Sequence, residues 1–234
     1  MARIKPLNKA DHRELTLRLD PAFPHADKSH ILPLTLHEVL QASRSYPVLF
    51  VKDSSTGQFN LVVLTGLRPG ENLFAEMEDW GGAYIPRQVK DYPFVLIANP
   101  DNGEQALVCI DEEAPGFAEP GGERLFTDGG DQTEFLQNRS KALLETERRM
   151  RGTGHLIDLL IEKQLLTPRR LTVQLSGEEP YDLTGFYVID ESRLNDLPDA
   201  DFLELRRKAL LPVIYALVVS TGMVQSLIHH KENR

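Results

Sequence analysis

The chain has 234 residues, enough for one large domain or two small ones with a sizeable buried core. Its composition, 41% hydrophobic and 26% charged, is that of a globular protein, and a net charge of -9 argues against nucleic acid as a partner, because polyanions need a net basic face. The single cysteine, Cys109, excludes an intrachain disulfide and fits a reducing compartment.

The opening MARIKPLNKADHRELTL has no apolar stretch behind its basic residues, so no secretory signal is expected and a cytoplasmic location is. Up to about Pro33 the chain is rich in Pro and His with little periodicity, which predicts extended chain over a core. Leu34 to Ser43 reads as a short helix, with Thr35 at its N-cap and Glu38 three residues on, the spacing of a capping box. PVLFVK (47–52) and QFNLVVL (58–64) flank DSSTG and predict a β-hairpin. A second hairpin is predicted from PFVLIA (93–98) and EQALVCI (104–110) around Asn102-Gly103, a pair that tolerates positive φ.

Asp111 to Glu134 holds eight carboxylates and one Arg among glycines and prolines, and reads as a long surface loop, with cation or partner binding as the alternative. From Asp131 to Leu166 apolar residues recur at helical spacing, weakened at Gly152 and Gly154, where the helix is open to division in two. Thr167-Pro168 is expected to end it. RLTVQL (170–175) and LTGFYVI (183–189) form a third predicted hairpin. The last element, from about Asp199 to His230, is predicted helical and apolar almost all round, hence buried. Its longest apolar run, Ala209 to Val219, is about half of what a bilayer requires and contains Pro212, so no membrane span is expected.

The order of elements predicts an α+β fold. Antiparallel hairpins, largely in the N-terminal half, pack against a C-terminal helical layer with a third hairpin. One domain covers 1–234, β-rich to 130 and helix–hairpin–helix from 131.

Candidate sites follow from chemistry in loops. The connection 66–94 contains GLRPGENLF and gathers Arg68, Glu71, Asn72, Trp80, Tyr84 and Arg87. Arg forks onto carboxylates, and Trp and Tyr offer flat apolar contact with a polar tip. The competing reading is structural, with aromatics pinning the loop and Arg68 paired to Glu71. GLRPG lacks the Lys-Ser/Thr of a phosphate loop and opens no long helix. Pro69-Gly70 fits the centre of a type II turn. His25, His30 and His37, with Asp27 and Glu38 nearby, are the alternative metal set, at spacings of five and seven that match no zinc pattern. GxSxG and HExxH are absent, and Cys109 lies in an apolar strand, so no catalytic residue is assigned and no cofactor is expected.

The order PLN, H-x4-H-x-x-P, YPVLFVKD-x3-GQF, GL-x-PGENLF, W-x3-YIP and YPF-x-L resembles the SapC-like family of bacterial proteins. VCIDEE, FLQ, LTGFYVIDE-x-RLN-x-LPD and LLP-x-IYA extend the likeness to nearly the whole chain. The family name comes from surface-layer and peptide-transport gene clusters. The resemblance implies a non-enzymatic accessory protein that binds a peptide, small molecule or partner protein in an uptake or surface-related pathway. The alternative is a metal-dependent oxygenase or hydrolase using the histidines. The family's central helix often runs without glycine, unlike this one.

Overall fold

A computed structural model describes residues 3–75, 77–98 and 106–233. In chain order the elements are β1 (Ile4–Pro6), α1 (Lys9–His12), β2 (Thr16–Leu17), β3 (Ile31–Pro33), α2 (Val39–Ala42), β4 (Val48–Lys52) and β5 (Phe59–Leu64). Then come α3 (Arg87–Asp91), β6 (Phe94–Ala98), β7 (Ala106–Asp111), β8 (Glu123–Arg124), α4 (Glu134–Glu162), β9 (Leu166–Val173) and β10 (Tyr181–Ile189). The chain finishes with α5 (Glu191–Asn195), α6 (Asp199–Arg207), α7 (Leu211–Ser220) and α8 (Val224–Glu232). The fold is α+β with antiparallel sheets.

Contacts divide the chain into two compact units, each made of two segments: 1–23 with 87–148, and 24–86 with 149–234. The first unit holds a sheet of order β1-β7-β6 and the ladder β2-β8. Leu17, Phe94, Ile110, Leu125, Phe126 and Leu136 form its core. The stretch expected to be a solvated acidic loop is therefore anchored. Its β8 pairs with β2, and Leu125 and Phe126 turn inward, since two adjacent large apolar residues gain more from burial than the loop loses in freedom. The N-terminal segment is likewise more ordered than expected, because Asn8 caps α1 by accepting from the Asp11 amide and β1 pairs with β7. The expected turn at Asn102-Gly103 lies outside the described residues, while its flanking strands β6 and β7 pair in register from Phe94↔Ile110 to Ala98↔Ala106.

The second unit is built on a five-stranded sheet, β3-β5-β4-β10-β9. The β4–β5 hairpin forms as predicted, Val48 opposite Val63. β9 begins earlier than expected and contains Pro168. A proline fits there because β9 is an edge strand, where one missing N–H disturbs no second ladder. The helix before it stops at Glu162 for a different reason from the proline. The Leu165 amide reaches the Leu160 carbonyl and the Gln164 amide that of Ile161, a Schellman closure with Gln164 at φ 54°.

α4 itself is one helix of 29 residues through both glycines. Thr153, between them, is buried; it accepts from the Leu36 amide at 2.8 Å and donates to the Arg149 carbonyl at 2.7 Å. The C-terminal element, expected as a single helix, is interrupted at 208–210. There Ala209 sits at φ 55°, with Leu210 N–H on Leu205 C=O and Ala209 N–H on Arg206 C=O, the same Schellman pattern. Pro212 then opens α7, where its missing N–H costs nothing. α7 packs on β4, β10 and α2 and buries Ile214, Leu217 and Ser220. Because a 3-10 turn links α7 to α8, the stretch Leu211–Glu232 is 22 residues long and contains an 18-residue window of mean hydropathy 1.8, long and apolar enough to cross a membrane by length and composition. The expected shortage of length is thus corrected: helix continues past the apolar run.

Candidate functional site

GLRPGENLF closes on itself at its base. The Thr65 amide donates to the His30 carbonyl at 2.8 Å, and the Leu73 amide donates back to Thr65 at 2.8 Å. Gly70 has φ +83°, as the Pro69-Gly70 turn requires. Gly66 is required for a different reason: a Cβ there would lie 2.3 Å from the Glu71 carbonyl oxygen. Asn72 is buried; its carbonyl oxygen accepts from the Phe74 and Ala75 amides at 3.0 and 3.3 Å, and its amide donates to Ala26 C=O at 3.0 Å. It is the turn-binding residue its type predicts.

The two charged residues of this stretch do not pair with each other. The Arg68 guanidinium binds Glu178 and lies 5.4 Å over the Tyr181 ring, while Glu71 accepts from the Leu67 amide at 2.9 Å and binds Lys231. The expected internal Arg68–Glu71 pair is replaced because the β9–β10 hairpin brings a carboxylate and a ring to Arg68. The ladder of β10 with β9 is irregular between Leu183 and Phe186, where Gly185 sits at φ +86°. Such a bulge bends a strand. β10 accordingly pairs with β4 only at Phe186 and Tyr187, and its first residues stand against GLRPG.

Between them lies a groove of about 240 Å³. Leu64, Leu67, Pro69 and Phe186 supply apolar walls, and His30, Asp182 and Thr184 supply the polar groups. Burial pushes the His30 imidazole pKa below its ordinary value, opposed by the nearby Glu71 charge. Asp182 is held by Thr172 at 2.8 Å and Arg170 at 3.2 Å. The β10 wall was missed in the sequence reading, although a glycine inside the strand pattern LTGFYVI is a bulge signal.

Trp80 and Tyr84 go elsewhere. Trp80 is 3% exposed and donates its indole N–H to the Tyr46 hydroxyl at 2.6 Å. Tyr46 donates in turn to the Tyr84 carbonyl at 2.7 Å, and the Tyr84 hydroxyl donates to Glu38 at 2.9 Å. Glu38 also accepts from the Thr35 amide and hydroxyl at 2.8 and 2.7 Å, completing the predicted capping box. Burial pushes the Tyr46 pKa up, so the hydroxyl stays a donor. Asp79, Trp80, Gly81 and Gly82 all have positive φ, one turn of left-handed backbone. That geometry costs about 1–2 kcal/mol at each of the two non-glycine residues, and the buried indole bond offsets it. Arg87 belongs to the first unit, where it meets Asp91 at 3.5 Å.

His25, His30 and His37 stand on separate elements: the 3-10 turn Pro24–Ala26, the lead into β3, and the 3-10 turn Leu36–Glu38. Among the described residues no group of three or more His, Cys, Asp or Glu side chains is close enough to hold a metal ion. A histidine unremarked in the sequence, His12, is buried in the first unit. Its Nε2 lies 3.0 Å from Glu112, and its Nδ1 lies 3.0 Å from both the amide nitrogen and the carbonyl oxygen of Asn8. Arg3 and Lys5 reach the other Glu112 oxygen, and His12, then Lys5 and Arg3, hold that carboxyl below the ordinary range. Both ring nitrogens of His12 are thus engaged within the unit. Cys109 is buried and its thiol pKa is raised, which keeps it a thiol.

The geometry defines an α+β protein with an apolar groove at a bulged strand. The chain belongs to the SapC family, whose model matches residues 7–227. No curated protein and no solved structure matches it.

Proposed function

We propose that this SapC-family protein is a cytoplasmic binding or accessory protein rather than an enzyme, and that it takes an apolar peptide side chain or a small apolar molecule in the groove beside Arg68. The observation that carries the reading is the groove itself: apolar walls and a few polar groups, with an arginine in the chain between the wall residues Leu67 and Pro69, are what small-ligand recognition requires. At about 240 Å³ it suits one side chain or a fragment-sized group rather than a large cofactor. His30, kept neutral by burial, offers a hydrogen bond rather than a charge. Arg68 is 47% exposed and can exchange Glu178 for a carboxylate on a ligand.

A saturation-transfer NMR screen of N-acetyl amino-acid amides tests this. The leucine and phenylalanine amides should show transfer with the native protein and lose it in Thr184→Trp, which fills the groove from an exposed position without touching the core. Equal transfer in the variant, or none from any amide, overturns the reading.

A further inference from the structure

α7 is apolar on more faces than it can bury. Val219 is 74% exposed and Tyr215 45%, and Pro212 lies on the same side one turn earlier, a stripe at helical spacing. On α2, which packs against α7, Leu40 is 51% exposed. Only 33% of the apolar window within Leu211–Glu232 is buried. Charge around this face is one-sided. Arg44 follows α2, and Arg206, Arg207 and Lys208 precede α7, all exposed. From Ala209 to Lys231 there is no carboxylate, and from Pro33 to Lys52 only Glu38, which is buried. Of the three acids on α6, Asp201 and Glu204 are drawn to Lys163, Glu204 also lying 3.6 Å from Lys208, and Asp199 stands exposed at the opposite end of the helix from Arg206 and Arg207. In a chain of net charge -9 such a cation-flanked apolar face is local and distinct.

We propose that the α2–α7 face docks on an anionic lipid surface, with α7 lying in the interface rather than spanning it. Three arguments select lipid. A helix that presents apolar side chains beside Lys and Arg is the pattern of an interfacial helix, and tyrosine suits the headgroup level. A second copy in a two-fold contact would offer these cations no carboxylate from 209–231 and only the buried Glu38 from 33–52, so the face is not charge-complementary to itself. The burial of Ile214, Leu217 and Ser220 against the sheet keeps the opposite side of α7 from lipid, so a span would expose the core.

Vesicle sedimentation at low salt tests the proposal, comparing phosphatidylcholine vesicles with mixed phosphatidylglycerol/phosphatidylcholine vesicles. The native protein should pellet with the mixed vesicles, and less so as salt rises. Arg206→Glu and Arg207→Glu should each weaken partition about fivefold or more, and Val219→Asp about tenfold or more. Gln225→Asp, at an exposed position of α8 beyond the apolar stripe, should leave partition nearly unchanged, with thermal melts confirming that each variant folds. If Val219→Asp does not fold, Leu40→Asp on α2 takes its place. No pelleting with the anionic vesicles overturns the proposal, as does pelleting unaffected by Val219→Asp. A dimer in light scattering that Val219→Asp dissolves, without vesicle binding, assigns the face to a second copy and also overturns it.

Discussion

The two halves of one connection, 66–75 and 77–86, carry the same kinds of residue and use them oppositely. In the first, Arg68 reaches out to Glu178 and Glu71 to Lys231 on other elements, and the turn is held by backbone, by Asn72 and by the Glu71 carboxylate on the Leu67 amide. In the second, Trp80 and Tyr84 run inward to Tyr46 and Glu38, and strained left-handed backbone is tolerated because those bonds fix it. An aromatic and an arginine in one loop therefore do not amount to one site. Whether a polar tip meets a buried partner or the solvent decides which role it takes.

The sharpest way to break this contrast is Trp80→Ala. It removes a buried ring and the donor to the Tyr46 hydroxyl, and should cost about 3–5 kcal/mol in a denaturant melt. A loss under about 1 kcal/mol would place the second half with the first. Tyr46→Phe keeps the ring packing but removes the hydroxyl's two bonds, from the Trp80 indole and to the Tyr84 carbonyl, with an expected loss of about 1–3 kcal/mol by the same measurement. Gly66→Ala sharpens the structural side of the first half. Its Cβ meets backbone rather than a flexible side chain, so a loss of about 1–3 kcal/mol is expected, read as a lowered melting temperature.

Arg68→Ala should leave the melting temperature nearly unchanged, because its ion pair is solvent-exposed, while binding in the NMR screen should weaken. Stability lost without a binding change would make Arg68 a structural residue. The smallest effect expected is the pH dependence of His30. Its folded pKa is lowered, so above the ordinary value both states are neutral and it contributes nothing. As pH falls through about 6.5 the unfolded chain takes the proton first and stability declines. His30→Gln should flatten the fall in melting temperature between neutral pH and about pH 5.5. An unchanged slope would mean that the ring is not held neutral in the groove.

Local signals were legible in the sequence and long-range ones were not. The Thr35/Glu38 capping box, the two N-terminal hairpins and the positive φ of Gly70 each depend on residues within a few positions. The end of α4 was placed four residues late and the break after α6 was not seen, because their left-handed residues are Gln164 and Ala209, where glycine is the usual marker. Continuity of α4 through Gly152 and Gly154 could not be read either, since their cost of roughly 1 kcal/mol each is small beside the packing of a 29-residue helix.

What the sequence determined by itself was the class of fold, the family and the turn chemistry of GLRPG, because hydrophobic period and φ preference are properties of short stretches. Tertiary structure alone decided that Arg68 meets Glu178 across 110 positions, that Glu71 meets Lys231 across 160, and that the groove has a second wall on β10. A charge or an apolar rim selects its partner by distance in space, and that distance exists only after the strand has bent at its bulge and the last helix has packed.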